Sequence, residues 1–177
     1  MTVQPPDEQR LHDEFVAFVQ ARQHRLLRSA YLVCGDHHLA EDLLQGALVK
    51  LALRWRTVSE GDPEAFLHTV MYRDSISWWR RWRRERLTDQ PPGGHGPDGT
   101  DDVSTRMLFA AALAKLTIKQ RTVLVLRYFD DLSEARTAEV LGVTIGTVKS
   151  QTNAALRRLR AVAPELGELS NAAGRED

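Results

Sequence analysis

Apolar positions along the chain recur with the period of an α-helix, and between the helical stretches nothing alternates as a strand would. Phe15, Phe18, Val19, Leu26, Ala30 and Val33 lie at helical spacing and stop at Gly35, a residue suited to a left-handed C-terminal cap. Asp36 can N-cap a second helix carrying Leu44, Leu48, Leu51 and Trp55 at steps of four, three and four. A third starts near Pro63, tolerated in a first turn, and continues to about Arg86. After a break the pattern resumes as four shorter helices. The first two span Val103 to Leu116 and Ile118 to about Phe129, the latter opened by Thr117 and Gln120 at capping-box spacing. The next is capped by Ser133 and stopped after Leu141 by Gly142, and the last runs from Ile145 to about Val162. Only Gly142, Val143 and Thr144 join these two, so they have the form of a helix-turn-helix.

The break itself, Asp89 to Asp102, reads DQPPGGHGPDGTDD and holds no aliphatic or aromatic residue, so it cannot bury enough surface to offset its ordering entropy. The pattern therefore predicts an all-α chain of two small helical domains, residues 12–87 and 103–163. A flexible acidic Gly/Pro-rich linker, 88–102, joins them, and an acidic tail, 164–177, follows. A length of 177 residues accommodates this, and no internal repeat is visible.

Charge changes the picture. The 24 Lys and Arg balance 24 Asp and Glu, yet the sum conceals segregation: 12–87 carries a net +2 and 105–163 a net +6, while 88–104 carries −4 and 164–177 carries −3. Placement of charge, more than its total, decides whether a surface attracts phosphate. The single thiol, Cys34, excludes a disulfide within the chain and any four-thiolate metal site, which fits a reducing cytosol. No apolar run approaches the roughly 20 residues that span a bilayer. Met1 to Leu11 lacks the basic and apolar segments of a secretory signal, so the chain is expected in the cytoplasm without membrane insertion.

Three surfaces stand out. On the last helix Ile145, Val148, Thr152, Ala155, Leu156 and Leu159 fall on one side. Gly146, Lys149, Ser150, Asn153 and Arg157 fall on the other, a small, polar and basic face suited to a major groove. The third helix ends in WWRRWRRER. Leu67, Met71, Trp78 and Trp82 form one stripe, read as core, and Arg73, Ser77, Arg80 and Arg84 form another; Trp79 lies off the first and is the indole expected to be exposed. Arginines beside an aromatic can hold phosphates and stack unpaired bases, although a basic helix end near the negative pole of its own dipole has the same composition. On the second helix Asp42, Gln45, Gly46 and Val49 share an edge away from the apolar stripe, which spacing alone reads as ordinary surface.

Enzymatic signatures are missing: there is no G-x-x-x-x-G-K-[ST], no G-x-G-x-x-G after a strand, no H-E-x-x-H and no G-x-S-x-G. Cys34, His37 and His38 cluster across a helix break with no second group of ligands, the pattern of a buried thiol and two surface imidazoles more than of a metal site. The chain is therefore expected to be no enzyme and to need no metal or cofactor.

Ala112 to Arg160, ALAKLTIKQRTVLVLRYFDDLSEARTAEVLGVTIGTVKSQTNAALRRLR, resembles region 4 of the extracytoplasmic-function (ECF) sigma factors of bacterial RNA polymerase. AEDLLQGALVKLALRW, Ala40 to Trp55, followed by PEAFLHTVMYRDSISWWRR, resembles their region 2. The resemblance implies a role for each surface. Asp42 and Gln45 of the D-x-x-Q pattern, with Val49 beside them, would dock on the clamp-helix coiled coil of the polymerase, whose flap is the second contact. The third helix, with Arg73, Ser77, Trp79, Arg80 and Arg84, and the preceding loop Thr57 to Asp62 would face the minus-10 element and capture flipped bases. Thr147, Lys149, Ser150, Gln151, Asn153 and Arg157 would meet base edges or phosphates of the minus-35 element. The acidic linker would thread toward the active-site and RNA-exit channels. An anti-sigma factor, where one exists, would cover the polymerase-binding edge.

Two departures from the family pattern bear on function. Arg73 stands where many members carry an Asn that takes part in minus-10 recognition, and Ser77 where they carry an acidic residue; a greater reliance on phosphate contacts is expected there. Gly46 also replaces a commonly acidic residue on the docking edge. The expected function is promoter-specific transcription initiation with assisted melting. The alternative is a two-domain helix-turn-helix regulator that works without polymerase.

Overall fold

Pro6 opens α1, with Asp7 and Glu8 in the first turn at the positive pole of the helix dipole, and the helix continues to Cys34, starting earlier than its apolar stripe. In this computed structural model residues 6–85 and 103–164 are described, with side chains over 7–81 and 109–164. Gly35, at φ +75°, ends α1 and donates its N–H to the Tyr31 carbonyl at 2.7 Å. Asp36 then caps α2 (His37–Ala52), its carboxylate accepting from the Leu39 N–H at 2.8 Å.

α2 is shorter than its apolar spacing predicts, because Trp55 belongs to a separate turn, α3 (Trp55–Val58). The Leu53 N–H still reaches the Val49 carbonyl, but Arg54 turns to φ −120°, ψ 8° and bonds Leu51 instead. This bend carries the Trp55 ring into the core, where Phe15 and Phe18 each lie 5.3 Å from it, centroid to centroid. The loop expected at Thr57 to Asp62 shortens accordingly, since Thr57 and Val58 are helical. Asp62 accepts from the Ala65 N–H at 2.9 Å to start α4 (Pro63–Glu85). Leu26, Ala30, Leu44, Leu48, Leu51, Leu67 and Met71 are the buried centre of this first bundle.

The second bundle comprises α5 (Val103–Ala114), α6 (Ile118–Leu124), α7 (Glu134–Leu141) and α8 (Ile145–Val162). At the start of α6 the predicted capping box forms: Thr117 Oγ1 accepts from Gln120 N–H at 3.3 Å and Gln120 Oε1 from Thr117 N–H at 3.2 Å. The stretch expected to continue α6 widens into a π turn over Val125–Phe129, and the Asp130 N–H reaches five residues back to Val125 at 2.9 Å. Asp131 follows at φ 55°, a conformation Asp tolerates better than most side chains.

Helical periodicity carries no information on how two bundles meet. Here they pack. α1 lies against α6 and the π turn, and α4 against α6 and α7. Val33 and Tyr72 of the first bundle sit in the apolar core of the second, with Leu113, Leu124 and Leu126. No helix among the described residues is long and apolar enough to cross a membrane, and none of the described residues forms a strand.

Candidate nucleic-acid interface

The helix-turn-helix is built by caps at each end of its turn. Ser133 Oγ accepts from the Arg136 N–H at 3.1 Å to start α7. Gly142, at φ +65°, ends it as a Schellman motif: Val143 N–H reaches Ala138 at 3.0 Å and Gly142 N–H reaches Glu139 at 3.2 Å. Thr144 restarts the chain as the N-cap of α8, accepting from the Thr147 N–H at 3.1 Å. Val148, Thr152 and Ala155 then anchor α8 against the core, so its opposite side must face water. Lys149, Ser150, Asn153 and Arg157 are exposed there, with Thr147 and Gln151 half-buried at its margin. Ile145, placed by the wheel on the inner side, is 46% exposed, in the first turn of α8. Lys149 Nζ lies 3.6 Å from Glu134 Oε2 on α7, which tethers the ammonium beside the basic face.

On α4 Arg73 and Arg80 are exposed and Ser77 is half-buried, so they share the outward side that their spacing predicts. The side chains of Trp82 and Arg84 lie outside the described ones. Trp79 corrects an expectation: it is half-buried, lining a small pocket with Cys34, Ser75, Trp78, Ile118 and Arg121, because the second bundle packs over this part of α4. Trp78, placed in the core by its stripe, is likewise only half-buried.

The α2 edge is presented as its spacing requires. Asp42, Gln45 and Val49 are exposed at steps of three and four, and Leu53, 82% exposed, prolongs the row. A Cβ built on Gly46 meets nothing within 4 Å, so the bundle itself does not demand glycine there. Asp42 also faces Ser77 and Trp78 across a groove between α2 and α4, whose far lip holds Asp74 and Arg81. Leu53 and Arg81 extend these surfaces and were not singled out by sequence. Leu53 could have been found as the next apolar residue in the exposed row; Arg81 is one of five arginines in a run and nothing distinguishes it there.

Cys34 is buried, its thiol pushed up to about 11 by burial and donating to the Asp36 carbonyl at 3.1 Å. His37 and His38 instead turn to Glu41, at 3.4 and 3.7 Å. Among the described residues no group of three His, Cys, Asp or Glu side chains is placed to hold a metal.

Residues 18–85 match the family described as Sigma-70 region 2, and residues 106–159 match that described as Sigma-70, region 4. The RNA polymerase sigma-E factor of Streptomyces coelicolor is 40% identical over 149 residues, covering 83% of this chain and 84% of that protein. The ECF RNA polymerase sigma factor SigL of Mycobacterium tuberculosis is 34% identical over 165 residues, covering 89% of each. The fold is shared with the sigma factor RpoE in complex with the anti-sigma factor NepR from Bartonella quintana, at a TM-score of 0.67 and 24% identity, over 84% of this chain and 96% of that one. With both region matches in one chain and relatives at 34% and 40% identity over most of their length, the chain belongs to the sigma-70 family, as a sigma factor of the extracytoplasmic-function type.

Proposed function

We propose that the chain binds bacterial core RNA polymerase through the α2 edge, directs it to a two-part promoter, and helps open the duplex. The observation that carries this reading is the pairing, in one chain, of a helix-turn-helix with the exposed row Asp42, Gln45, Val49 and Leu53. A regulator working alone has use for the first and none for the second. Asp42 and Gln45 are the polar anchors of the docking edge and Val49 its apolar contact. Residues 12–87 carry polymerase docking and the minus-10 contacts, and 103–163 the minus-35 contacts. Lys149, Ser150, Asn153 and Arg157 face the minus-35 duplex with Thr147 and Gln151 at the margin, while Arg73, Ser77, Arg80 and Arg84, with Trp79 once uncovered, face the minus-10 strand.

The action is binding, without a covalent step of its own. Unstacking a base costs a few kcal/mol, which stacking and pocket contacts offset. Two modest DNA contacts held on one polymerase gain from effective concentration, so neither domain has to bind duplex tightly alone. The cytoplasm, where polymerase works, is its place of action. An anti-sigma factor, the partner named for the Bartonella quintana protein, would compete for the α2 edge.

The test is run-off transcription with core polymerase on a genomic fragment library, with RNA 5′ ends sequenced. Protein-dependent starts that share two upstream elements and vanish with Asp42→Ala plus Gln45→Ala are expected. Sequence-specific binding to free duplex without any protein-dependent start, from folded protein and a matching polymerase, would instead establish the polymerase-independent regulator.

A further inference from the structure

Six side chains of α8 are proposed above to meet the minus-35 element, and their bonds within the fold divide them. Ser150 Oγ donates its one proton to the Thr147 carbonyl at 3.1 Å, and the Thr147 hydroxyl shares a hydrogen bond with Thr144 Oγ1 at 2.9 Å. Lys149 is held 3.6 Å from Glu134 and, as an ammonium, has donors and no acceptor. Gln151 is half-buried at the margin of the face. Arg157 is exposed but lies roughly three turns into α8, about 18 Å along the axis, whereas a major groove is only ~12 Å wide and is read from the N-terminal part of a recognition helix. Asn153 differs from all of them. It is exposed, it has no hydrogen-bond or ion-pair partner among the described residues, and its amide carries a donor and an acceptor side by side.

The row on which Asn153 stands is shaped for close approach. Gly146, Ser150 and Asn153 follow at steps of four and three, on the side of α8 opposite Val148, Thr152 and Ala155. Gly146 leaves the start of the row bare. A Cβ built there would meet only Thr144 Oγ1, at 3.8 Å, an ordinary contact. The fold therefore has room for alanine, a better helix former, where the chain has glycine. A bare backbone at that point lets the helix sink to the depth at which a side chain as short as Asn153 touches base edges.

Of the edges presented in the major groove, adenine matches an amide. Its N6–H donates to the amide oxygen and its N7 accepts from the amide nitrogen, whereas guanine offers two acceptors. We infer that Asn153 is the residue of α8 that reads sequence, and that it reads the adenine of an A·T pair in the minus-35 element. The identity of that element rests on the sigma reading above, and the contact itself on the helix-turn-helix.

The test uses a barcoded promoter pool randomised at the minus-35 element, transcribed by core polymerase with the full chain or its Asn153→Ala, Asn153→Asp or Ser150→Ala variant. Duplexes retained by each full chain alone are sequenced in parallel. Wild type should favour adenine at one position by about five- to 150-fold, the discrimination a bidentate pair supplies. Asn153→Ala should level that position and leave the others as they were. Asn153→Asp, which only accepts, should turn it toward cytosine, whose N4–H is a donor. Ser150→Ala should leave every preference in place, because its proton is spent inside the helix. Asn153 bonds to nothing among the described residues, so its variants should melt with the wild type.

An Asn153→Ala variant that keeps every base preference overturns the inference, whether transcription is unchanged or uniformly lower, since uniform loss is the mark of a phosphate contact. So does a levelled position at which wild type preferred a base pair other than A·T. If no start depends on the wild-type chain with a matching polymerase, the sigma reading falls. Asn153 is then judged on the duplexes retained by the chain alone, where one adenine must be selected by wild type and lost in Asn153→Ala. A chain that neither starts transcription nor selects a duplex overturns both.

Discussion

Arg121, in the second bundle, donates Nη1 to the carbonyl of Val33, in the last turn of α1 in the first, at 2.8 Å. Its Nη2 reaches the carbonyls of Ala114 and Leu116 at 3.2 and 3.4 Å, where α5 ends. One guanidinium, 2% exposed, thus serves the C-terminal ends of two helices from different domains. Burial lowers its pKa to about 10, which still leaves it charged at neutral pH. The negative poles of α1 and α5 are its counter-charge.

Arg121→Ala leaves those carbonyls without their donor and opens a cavity, so we expect a loss of about 2–4 kcal/mol in stability. Arg121→Lys should recover only part, because an ammonium lacks the planar fork that reaches three carbonyls. Urea unfolding of the three proteins decides it. A loss under about 0.5 kcal/mol for the alanine variant, the range of an ordinary surface change, would mean the bridge contributes little.

Glu64 gives the fold a dependence on acid. His68, 3.9 Å away, and Arg22, 3.1 Å away, hold its carboxyl down at about 2 from an ordinary 4.5, against partial burial. A depressed carboxyl stabilises the folded state above the unfolded pKa and loses that contribution as pH falls toward the folded value. Wild type should therefore lose more stability than Glu64→Gln between about pH 4.5 and about pH 2. Solvent exposure keeps the difference modest. Parallel pH profiles of the urea midpoints would remove Glu64 from the account.

Gly46 separates folding from docking. Nothing stands within 4 Å of an added Cβ, so Gly46→Ala should stabilise α2 by about 0.5–1 kcal/mol through helix propensity alone. If glycine is there to let a partner approach, the same variant binds core polymerase more weakly while melting at a higher temperature. Higher melting with unchanged binding would show that the position is free to drift.

Helices and caps were legible because each rests on local chemistry. Asp36, Thr117, Ser133 and Gly142 act where their spacing placed them. The outward face of α8 was equally legible, since Val148, Thr152 and Ala155 fix its rotation. What escaped was long-range. Arg121 and Asp130 sit within the run RTVLVLRYFDD, where charges read as surface until a second bundle supplies their partners. Trp79 was misplaced for the same reason, because the surface that covers it comes from α6. The break after Ala52 was hidden because Trp55 keeps the helical step while turning inward by another route.

Arg73 bears most directly on promoter choice. It is exposed on the side of α4 that also carries Ser77 and Arg80, at the position where the resemblance to extracytoplasmic-function sigma factors implies, for many members, an Asn taking part in minus-10 recognition. A guanidinium paired with a phosphate carries no sequence information, whereas an amide offers a paired donor and acceptor to a base edge. Arg73→Asn should therefore narrow the range of minus-10 sequences used in run-off transcription. It should also reduce the steepness with which promoter binding falls with salt, by about one counterion. The position lies on an exposed helix face, so the melting temperature should change little. An identical preference at every minus-10 position, together with an unchanged salt slope, would show that Arg73 does not touch the promoter strand.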